Sequence, residues 1–331
     1  MTAVFDECLI YADNVKKYFS VKGSYGKNAI LKAVDGVAFG IIKGETFGLV
    51  GESGCGKSTL AQVMLRLVEA TEGSVYFEGR DIYKLKSKEL REVRREMQII
   101  FQDPYDSLNP RMTLGEIVAE PLNIHGIGSS AERVKKVKSL FSLVGLPEQQ
   151  LNRYPHQLSG GQRQRVSIAR SIALSPKLLV CDEAVSALDV SIQSQILNLL
   201  SDLKKELKLT YLFVSHDLSV VRFISDYIGV MYFGRLIEMA TKHEIFANRK
   251  HPYTHALLTA VPNPDPRNKS QRVILKGDVP SLLNPPVGCI FYDRCAYAED
   301  CCRQEAPALK DISDNHFVAC HRAHELNLMN R

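Results

Sequence analysis

The chain has 331 residues, of which 45% are hydrophobic and 24% are charged. This composition is typical of one or two folded domains and excludes a disordered, collagen-like or coiled-coil protein. The 42 lysines and arginines against 37 acidic residues give a net charge of +5 without a long basic tract, so a dedicated nucleic-acid-binding protein is not expected.

The sequence predicts no membrane-spanning helix, because it contains no apolar stretch of about 18 residues. Asp6 and Glu7 precede every basic residue of the N-terminus, so we expect no secretory signal and a cytoplasmic location. The eight cysteines are therefore not expected to form a disulfide framework.

A glycine-rich loop is the first element with a clear chemical meaning. An apolar strand at residues 47–50 leads into Gly51-Glu52-Ser53-Gly54-Cys55-Gly56-Lys57-Ser58, and residues 59–68 have helical spacing. This order of strand, loop and helix is the pattern that binds phosphate through backbone N–H groups. Lys57 would reach the β- and γ-phosphates and the Ser58 hydroxyl would ligate Mg²⁺. We predict an ATP site in which the loop contributes Gly51, Ser53, Gly54, Cys55, Gly56, Lys57, Ser58 and Thr59.

The middle of the chain is predicted to be helical. Gln102 follows the mostly apolar residues 97–101, and amphipathic spacing then covers residues 114–122 and 131–144. We expect a helical subdomain inserted near residues 104–158.

Two carboxylates follow a second apolar strand, at residues 177–181. Asp182, at the strand end, is suited to hold Mg²⁺ directly or through water. Glu183, one residue further on, is suited to polarise the attacking water as a general base.

Ser159-Gly160-Gly161-Gln162 precedes a predicted helix over residues 164–174. The N-terminal amides of such a helix and the Ser159 hydroxyl can hold an anion, which predicts a second phosphate-binding surface. His216 follows a further predicted strand, residues 210–215.

Together these motifs resemble the ATP-binding cassette (ABC) family. Ser159-Gly160-Gly161-Gln162 matches its signature motif, Gln102 its Q-loop, Ser186-Ala187-Leu188-Asp189 its D-loop and Ser215-His216-Asp217 its switch histidine. The resemblance implies catalytic roles for Glu183, His216 and Gln102, with Gln102 joining Ser58 at Mg²⁺. It also implies a head-to-tail dimer in which each ATP lies between the loop of one subunit and the signature motif of the other. The further ATP-binding residues that it implies are Asp182, Ser159, Gly160, Gly161, Gln162 and Asp189.

An aromatic ring is expected to stack on the adenine. Tyr18 and Phe19 both lie ahead of the glycine-rich loop, where the family carries an aromatic residue. Phe19 is the closer match, Tyr18 is the alternative, and a packing role for either ring stays open.

The C-terminal part resembles the extension of oligopeptide/dipeptide permease ATP-binding subunits. The matching blocks are His251-Pro252-Tyr253-Thr254-His255-Ala256-Leu257-Leu258 and Asn284-Pro285-Pro286-Val287-Gly288-Cys289. This resemblance implies a peptide importer of a prokaryote. Its expected partners are a second, different cassette, integral membrane permease subunits and, indirectly, an extracytoplasmic solute-binding protein. The chain would then lie at the cytoplasmic face of the plasma membrane.

Two alternatives remain open. A nickel or other small-solute importer of the same family would share these motifs. An ABC ATPase acting on DNA or ribosomes is less favoured, because the chain has neither the long coiled coil nor the second cassette of those proteins.

Four cysteines in the C-terminal extension are separated by five, six and seventeen residues: Cys289, Cys295, Cys302 and Cys320. Thiolates close together in a loop-rich tail suggest a metal centre. The resemblance favours a [4Fe-4S] cluster over zinc or free thiols, and Cys301 is the alternative to Cys302 as a ligand.

The predicted fold class is α/β. We expect a RecA-like P-loop ATPase core with an N-terminal antiparallel β subdomain, the inserted helical subdomain and a loop-rich C-terminal extension. The predicted domains are residues 1–245 and residues 246–331.

Overall fold

The computed structural model describes residues 7–22, 28–260, 275, 283, 286–313, 315–326 and 328. The chain forms two compact units. The first contains residues 1–41, 45–83 and 215–331, and the second contains residues 42–44 and 84–214.

The strands, numbered along the chain, are β1 (Cys8–Lys22), β2 (Asn28–Ile42), β3 (Thr46–Val50), β4 (Glu72–Phe77), β5 (Arg80–Asp81), β6 (Met97–Ile100), β7 (Leu178–Asp182), β8 (Thr210–Ser215), β9 (Tyr227–Tyr232), β10 (Arg235–Thr241), β11 (Lys310–Ser313) and β12 (His316–Val318). The α-helices are α1 (Lys57–Met64), α2 (Ser87–Glu96), α3 (Pro104–Ser107), α4 (Leu114–Ile124), α5 (Ser130–Leu143), α6 (Gly160–Ile172), α7 (Val190–Leu207), α8 (Leu218–Ile224), α9 (Lys242–Ala247), α10 (Pro252–Ala260) and α11 (Asp300–Gln304).

The first unit contains the predicted antiparallel β subdomain at its N-terminal end. Strands lie in the order β2-β1-β4-β5, and β4 pairs antiparallel with both β1 and β5. Ile10 of β1 lies opposite Phe77 of β4, and both side chains are fully buried. Burial of such large side chains stabilises a sheet by about 1.5–3 kcal/mol each.

A second run of strands in the first unit carries the glycine-rich loop. Its order is β11-β12-β10-β9-β3, with β3 parallel to β9 and the other pairs antiparallel. All five residues of β3 are buried, as expected for a strand covered on both faces. The loop follows β3 directly and leads into α1, which is the predicted order.

The second unit combines a parallel run of strands with the predicted helical insertion. β6 and β8 flank β7 and both pair with it in parallel. The inserted helices α4 and α5 each begin with a capping box, formed by Thr113 with Glu116 and by Ser129 with Glu132. The α/β fold class with its antiparallel, helical and C-terminal additions is thus confirmed.

One boundary differs clearly from its prediction. The helix expected from Gln164 begins instead at Gly160, because the Ser159 side chain accepts a hydrogen bond from the Gln162 N–H and caps it. The signature glycines are therefore the first residues of α6.

The C-terminal extension is anchored by a buried carboxylate. Glu238 of β10 is fully buried and accepts hydrogen bonds from the Lys250 and His251 N–H groups, at 2.6 and 3.0 Å. The ring Nε2 of His316 lies 2.8 Å from Glu238 Oε1. β12 therefore joins the sheet beside β10. Residues 261–285, which include Asn284 and Pro285 of the second matching block, lie outside the described residues apart from Leu275 and Leu283.

Among the described residues, no helix combines the length and apolarity that crossing a bilayer requires.

Candidate nucleotide site

Close backbone packing makes glycine necessary at two positions of the loop. Gly56 has φ +104°, and a Cβ built there would lie 2.0 Å from the Ala33 carbonyl oxygen. A Cβ at Gly51 would lie 2.2 Å from the Met231 carbonyl oxygen. The loop is therefore held close to neighbouring backbone, in a conformation that a side chain would disrupt.

The Lys57 side chain is buried and folds back onto the first residues of the loop. Its ammonium group donates hydrogen bonds to the carbonyl oxygens of Gly51, at 2.8 Å, and Glu52, at 3.0 Å. Ser58 and Thr59 lie beside it in the first turn of α1, where backbone N–H groups favour an anion. This cradle fits phosphate.

The remaining loop residues differ in exposure. Ser53 and Gly54 are exposed, whereas Cys55 is buried. Burial raises the pKa of the Cys55 thiol, so this cysteine is protonated at neutral pH.

Glu183 and Gln102 meet in the second unit. Gln102 Nε2 donates a hydrogen bond of 2.9 Å to Glu183 Oε2. Glu183 has φ +48°, a strained value for a non-glycine residue, and its N–H donates to the Val214 carbonyl oxygen. Asp182, the last residue of β7, is only 5% exposed. The strand end thus presents one buried carboxylate and one carboxylate oriented by an amide.

The predicted signature and D-loop residues are neighbours in the second unit. A Cβ at Gly161 would lie 2.5 Å from Ile192 Cγ2, so the start of α6 packs closely on the first turn of α7. Asp189 caps α7 by accepting hydrogen bonds from Ser191 Oγ and the Ile192 N–H. These bonds lower the pKa of the Asp189 carboxyl group.

His216 follows β8 and its side chain is exposed. The next residue, Asp217, caps α8 by accepting a hydrogen bond from the Ser219 N–H.

The structure distinguishes the two aromatic candidates. The Tyr18 hydroxyl donates a hydrogen bond to Asp35 Oδ1, so this side chain is tied to a neighbour. Phe19 is 37% exposed and has no such bond, although Lys17 Nζ lies 4.9 Å from its ring centre. Phe19 therefore offers the more accessible stacking face.

The predicted iron–sulfur site is not supported. Cys289, Cys295, Cys302 and Cys320 do line one small cavity, but among the described residues no group of three or more His, Cys, Asp or Glu side chains is arranged to hold a metal ion. Burial raises the pKa of Cys289 to about 11 and that of Cys320 to about 12, so both thiols are neutral at pH 7. The prediction of a [4Fe-4S] cluster is therefore wrong, as is the zinc alternative.

Two residues that the sequence did not indicate contact the glycine-rich loop. The Tyr253 hydroxyl accepts a hydrogen bond of 2.9 Å from the Glu52 N–H, and Arg294 forms an ion pair with the Glu52 side chain. Arg294 is 242 residues away in sequence, so no local pattern could reveal this contact.

Comparisons with known proteins agree with the motifs. Residues 34–186 match the family described as ABC transporter, and residues 237–302 match the C-terminal region of oligopeptide/dipeptide transporters. The chain is 51% identical over 326 residues to the oligopeptide transport ATP-binding protein AppF of Bacillus subtilis (strain 168), covering 97% of this chain and 99% of that protein. It is 48% identical over 322 residues to the oligopeptide transport ATP-binding protein OppF of Haemophilus influenzae, covering 95% of this chain and 97% of that protein.

The fold is similar to solved cassettes. The dimeric post-hydrolysis structure of the ATP-binding cassette MJ0796, bound to ADP and Pi, has a TM-score of 0.62 and 33% identity, covering 70% of this chain and 98% of that one. The cbiO1 protein of Clostridium perfringens, part of the ABC transporter complex cbiONQ, has a TM-score of 0.63 and 28% identity, covering 73% of this chain and 92% of that one. This chain therefore belongs to the ABC transporter family of ATP-binding proteins, in the oligopeptide/dipeptide transporter group.

Proposed function

We propose that the chain binds and hydrolyses ATP as the ATPase subunit of an ABC importer of di- and oligopeptides. The observation that carries the proposal is the combination of a phosphate cradle at Gly51–Ser58 with a carboxylate, Glu183, held by an amide in a strained backbone position. The high identity to oligopeptide transport ATP-binding proteins over nearly the whole chain supports peptide as the cargo.

The loop would bind the phosphates. Lys57 now donates to two loop carbonyl oxygens, and the same ammonium group can turn its protons to β- and γ-phosphate oxygens. Ser58, Asp182 and Gln102 would hold Mg²⁺, and the oxygen atoms of their side chains suit this hard cation. Mg²⁺ neutralises charge on the β- and γ-phosphates when bound.

Glu183 would act as the general base on the attacking water, and His216 would contact the γ-phosphate. Gln102 is already bonded to Glu183, so it would keep the carboxylate in the orientation that accepts a proton. Phe19 would stack on the adenine, because its ring is exposed.

We propose that two cassettes pair head to tail, with the second cassette a different, paralogous subunit. Ser159, Gly160, Gly161 and Gln162 would then bind the nucleotide of the partner, with Asp189 beside them. The start of α6 supports this role, because helix N-termini favour phosphate. The dimeric form of the MJ0796 cassette supports the pairing.

The remaining partners would be integral membrane permease subunits, and a solute-binding protein would act through them. The chain would then lie peripherally at the cytoplasmic face of a bacterial plasma membrane. Its ATP-binding part would correspond to residues 1–245 and its oligopeptide/dipeptide-type extension to residues 246–331.

The test is uptake of a labelled oligopeptide by cells that lack this chain and are supplied with the wild type or with Glu183→Gln. We expect the wild type to restore uptake and Glu183→Gln to fail at equal expression. Restored nickel uptake without peptide uptake would replace peptide by nickel as the cargo. Restoration by Glu183→Gln would contradict the role of ATP hydrolysis.

A further inference from the structure

Arg294 of the C-terminal extension forms an ion pair with Glu52, the one acidic residue of the loop Gly51–Ser58. Arg294 Nη1 and Nη2 donate hydrogen bonds to Glu52 Oε2 and Oε1, at 2.9 and 3.1 Å. The Arg294 side chain is only 8% exposed and that of Glu52 is 26% exposed. A forked pair of this kind fixes the orientation of the carboxylate as well as its distance.

The backbone of Glu52 is also bonded to a residue of the C-terminal extension. The Glu52 N–H donates to the hydroxyl oxygen of Tyr253, a fully buried residue of α10. The Tyr253 ring packs against Tyr232, with ring centres 4.6 Å apart, and against Phe291, at 5.5 Å. Glu52 is thus held at its side chain and at its backbone by residues outside the loop.

The ion pair between Arg294 and Glu52 changes the charge that the loop presents to a nucleotide. Glu52 carries a negative charge in a loop that we assign to anionic phosphates, and an unpaired carboxylate there would repel them. Burial disfavours the Arg294 cation, but hydrogen bonds to Glu52 and Tyr232 outweigh this effect and raise its pKa. The guanidinium therefore stays charged and offsets the charge of Glu52.

We propose that Arg294 is a positioning residue of the phosphate loop, through which the C-terminal extension sets the affinity of the chain for ATP. Arg294 acts by holding Glu52 and offsetting its charge. The inference rests on the proposed function, since it requires the loop to bind ATP. Because coupling between two sites is reciprocal, ATP must in turn stabilise the backbone around Arg294.

The experiment measures ATPase kinetics of the full chain as wild type, Arg294→Gln, Glu52→Gln and the double variant. The control is Arg303→Gln, which removes the same charge from an exposed position of the same extension. Arg294→Gln is expected to raise KM for ATP about 10-fold, within the usual range of coupling between sites, with kcat changed less than about twofold. Arg303→Gln is expected to leave both constants unchanged.

The double variant separates positioning from a general loss of stability. Removing the Glu52 charge as well should bring KM back toward the wild-type value, because the unpaired carboxylate is gone. A double variant whose KM rises by the product of the two single effects would overturn the proposal. Arg294→Lys keeps the charge but loses the fork, so it should give an intermediate KM even if Arg294→Gln folds poorly.

Hydrogen exchange supplies the reciprocal readout. ATP should slow amide exchange at residues 289–297 in the wild type and in Arg303→Gln, but much less in Arg294→Gln. Equal KM and equal protection in Arg294→Gln and the wild type would refute this inference alone. Failure of the wild type to bind ATP would instead refute the proposed function.

Discussion

Gln102 Nε2 donates a hydrogen bond of 2.9 Å to Glu183 Oε2, although the two residues are 81 positions apart. They meet because β6, which ends two residues before Gln102, pairs in parallel with β7, which ends one residue before Glu183. The contact therefore depends on strand register. The side-chain amide of Gln102, two residues beyond the end of the neighbouring strand, thus orients a carboxylate that lies in a strained backbone position.

Removing the Gln102 amide should slow hydrolysis without removing the base itself. We expect Gln102→Ala to lower kcat for ATP about 10-fold, less than the roughly 10²–10⁴-fold that a general base contributes. Gln149→Ala is the control, because Gln149 is an exposed glutamine of the same unit. The measurement is steady-state phosphate release, and equal kcat in both variants would show that the contact has no catalytic role.

The close approach of Gly56 to Ala33 predicts a steric effect on ATP binding. Gly56→Ala would place its Cβ 2.0 Å from a backbone oxygen, so the loop must shift and its affinity for ATP should fall at least about 10-fold. Gly79→Ala is the matched control, because Gly79 also has a positive φ but nothing within 4 Å of the added Cβ. Both variants carry the backbone strain, about 1–2 kcal/mol. Calorimetric titration with ATP should separate them, and similar affinities would argue against the phosphate cradle.

Buried His251 predicts a loss of stability in acid. Burial lowers its pKa to about 4, from an ordinary value of 6.5, so between these values the unfolded chain binds a proton that the native chain does not. The stability that the chain has with neutral, buried His251 is therefore fully present above pH 6.5. The free energy of unfolding falls by about 1–3 kcal/mol as the pH decreases toward 4. His251→Asn, which removes this titration, should flatten the dependence of urea-unfolding free energy on pH.

The control for this pH effect is His243→Gln, because the His243 side chain is 83% exposed. Its pH dependence should match that of the wild type. If His251→Asn and the wild type lose the same free energy between pH 6.5 and 4, His251 is not the titrating group.

Local patterns in the sequence predicted the strands and helices that carry the motifs. The run at residues 47–50 became the buried strand β3, and the amphipathic spacing after Gln102 became α4 and α5. Such elements are specified by neighbouring residues, so their periodicity is visible in the chain itself. The start of α6 was missed by four residues, although the capping pair Ser159 and Gln162 was present in the sequence.

Contacts between distant residues could not be predicted in the same way. Arg294 and Glu52 are 242 residues apart and are joined only within the folded first unit, so nothing near either residue in the sequence indicates a partner. The cysteines are the opposite case, because their spacing in the sequence suggested a metal site that the structure does not support. Cys289, Cys295, Cys302 and Cys320 do line one cavity, but spacing along the chain does not report whether the side chains are arranged to hold a metal ion, and among the described residues no group of three or more is.

MgATP binding and hydrolysis by the wild type and Glu183→Gln, with the exposed Glu206→Gln as the control, test directly whether Glu183 is the general base of an ATPase. We expect Glu183→Gln to bind ATP with wild-type affinity, to favour the dimer and to hydrolyse about 10²–10⁴-fold more slowly, while Glu206→Gln behaves as the wild type. Wild-type turnover in Glu183→Gln would show that Glu183 is not the general base.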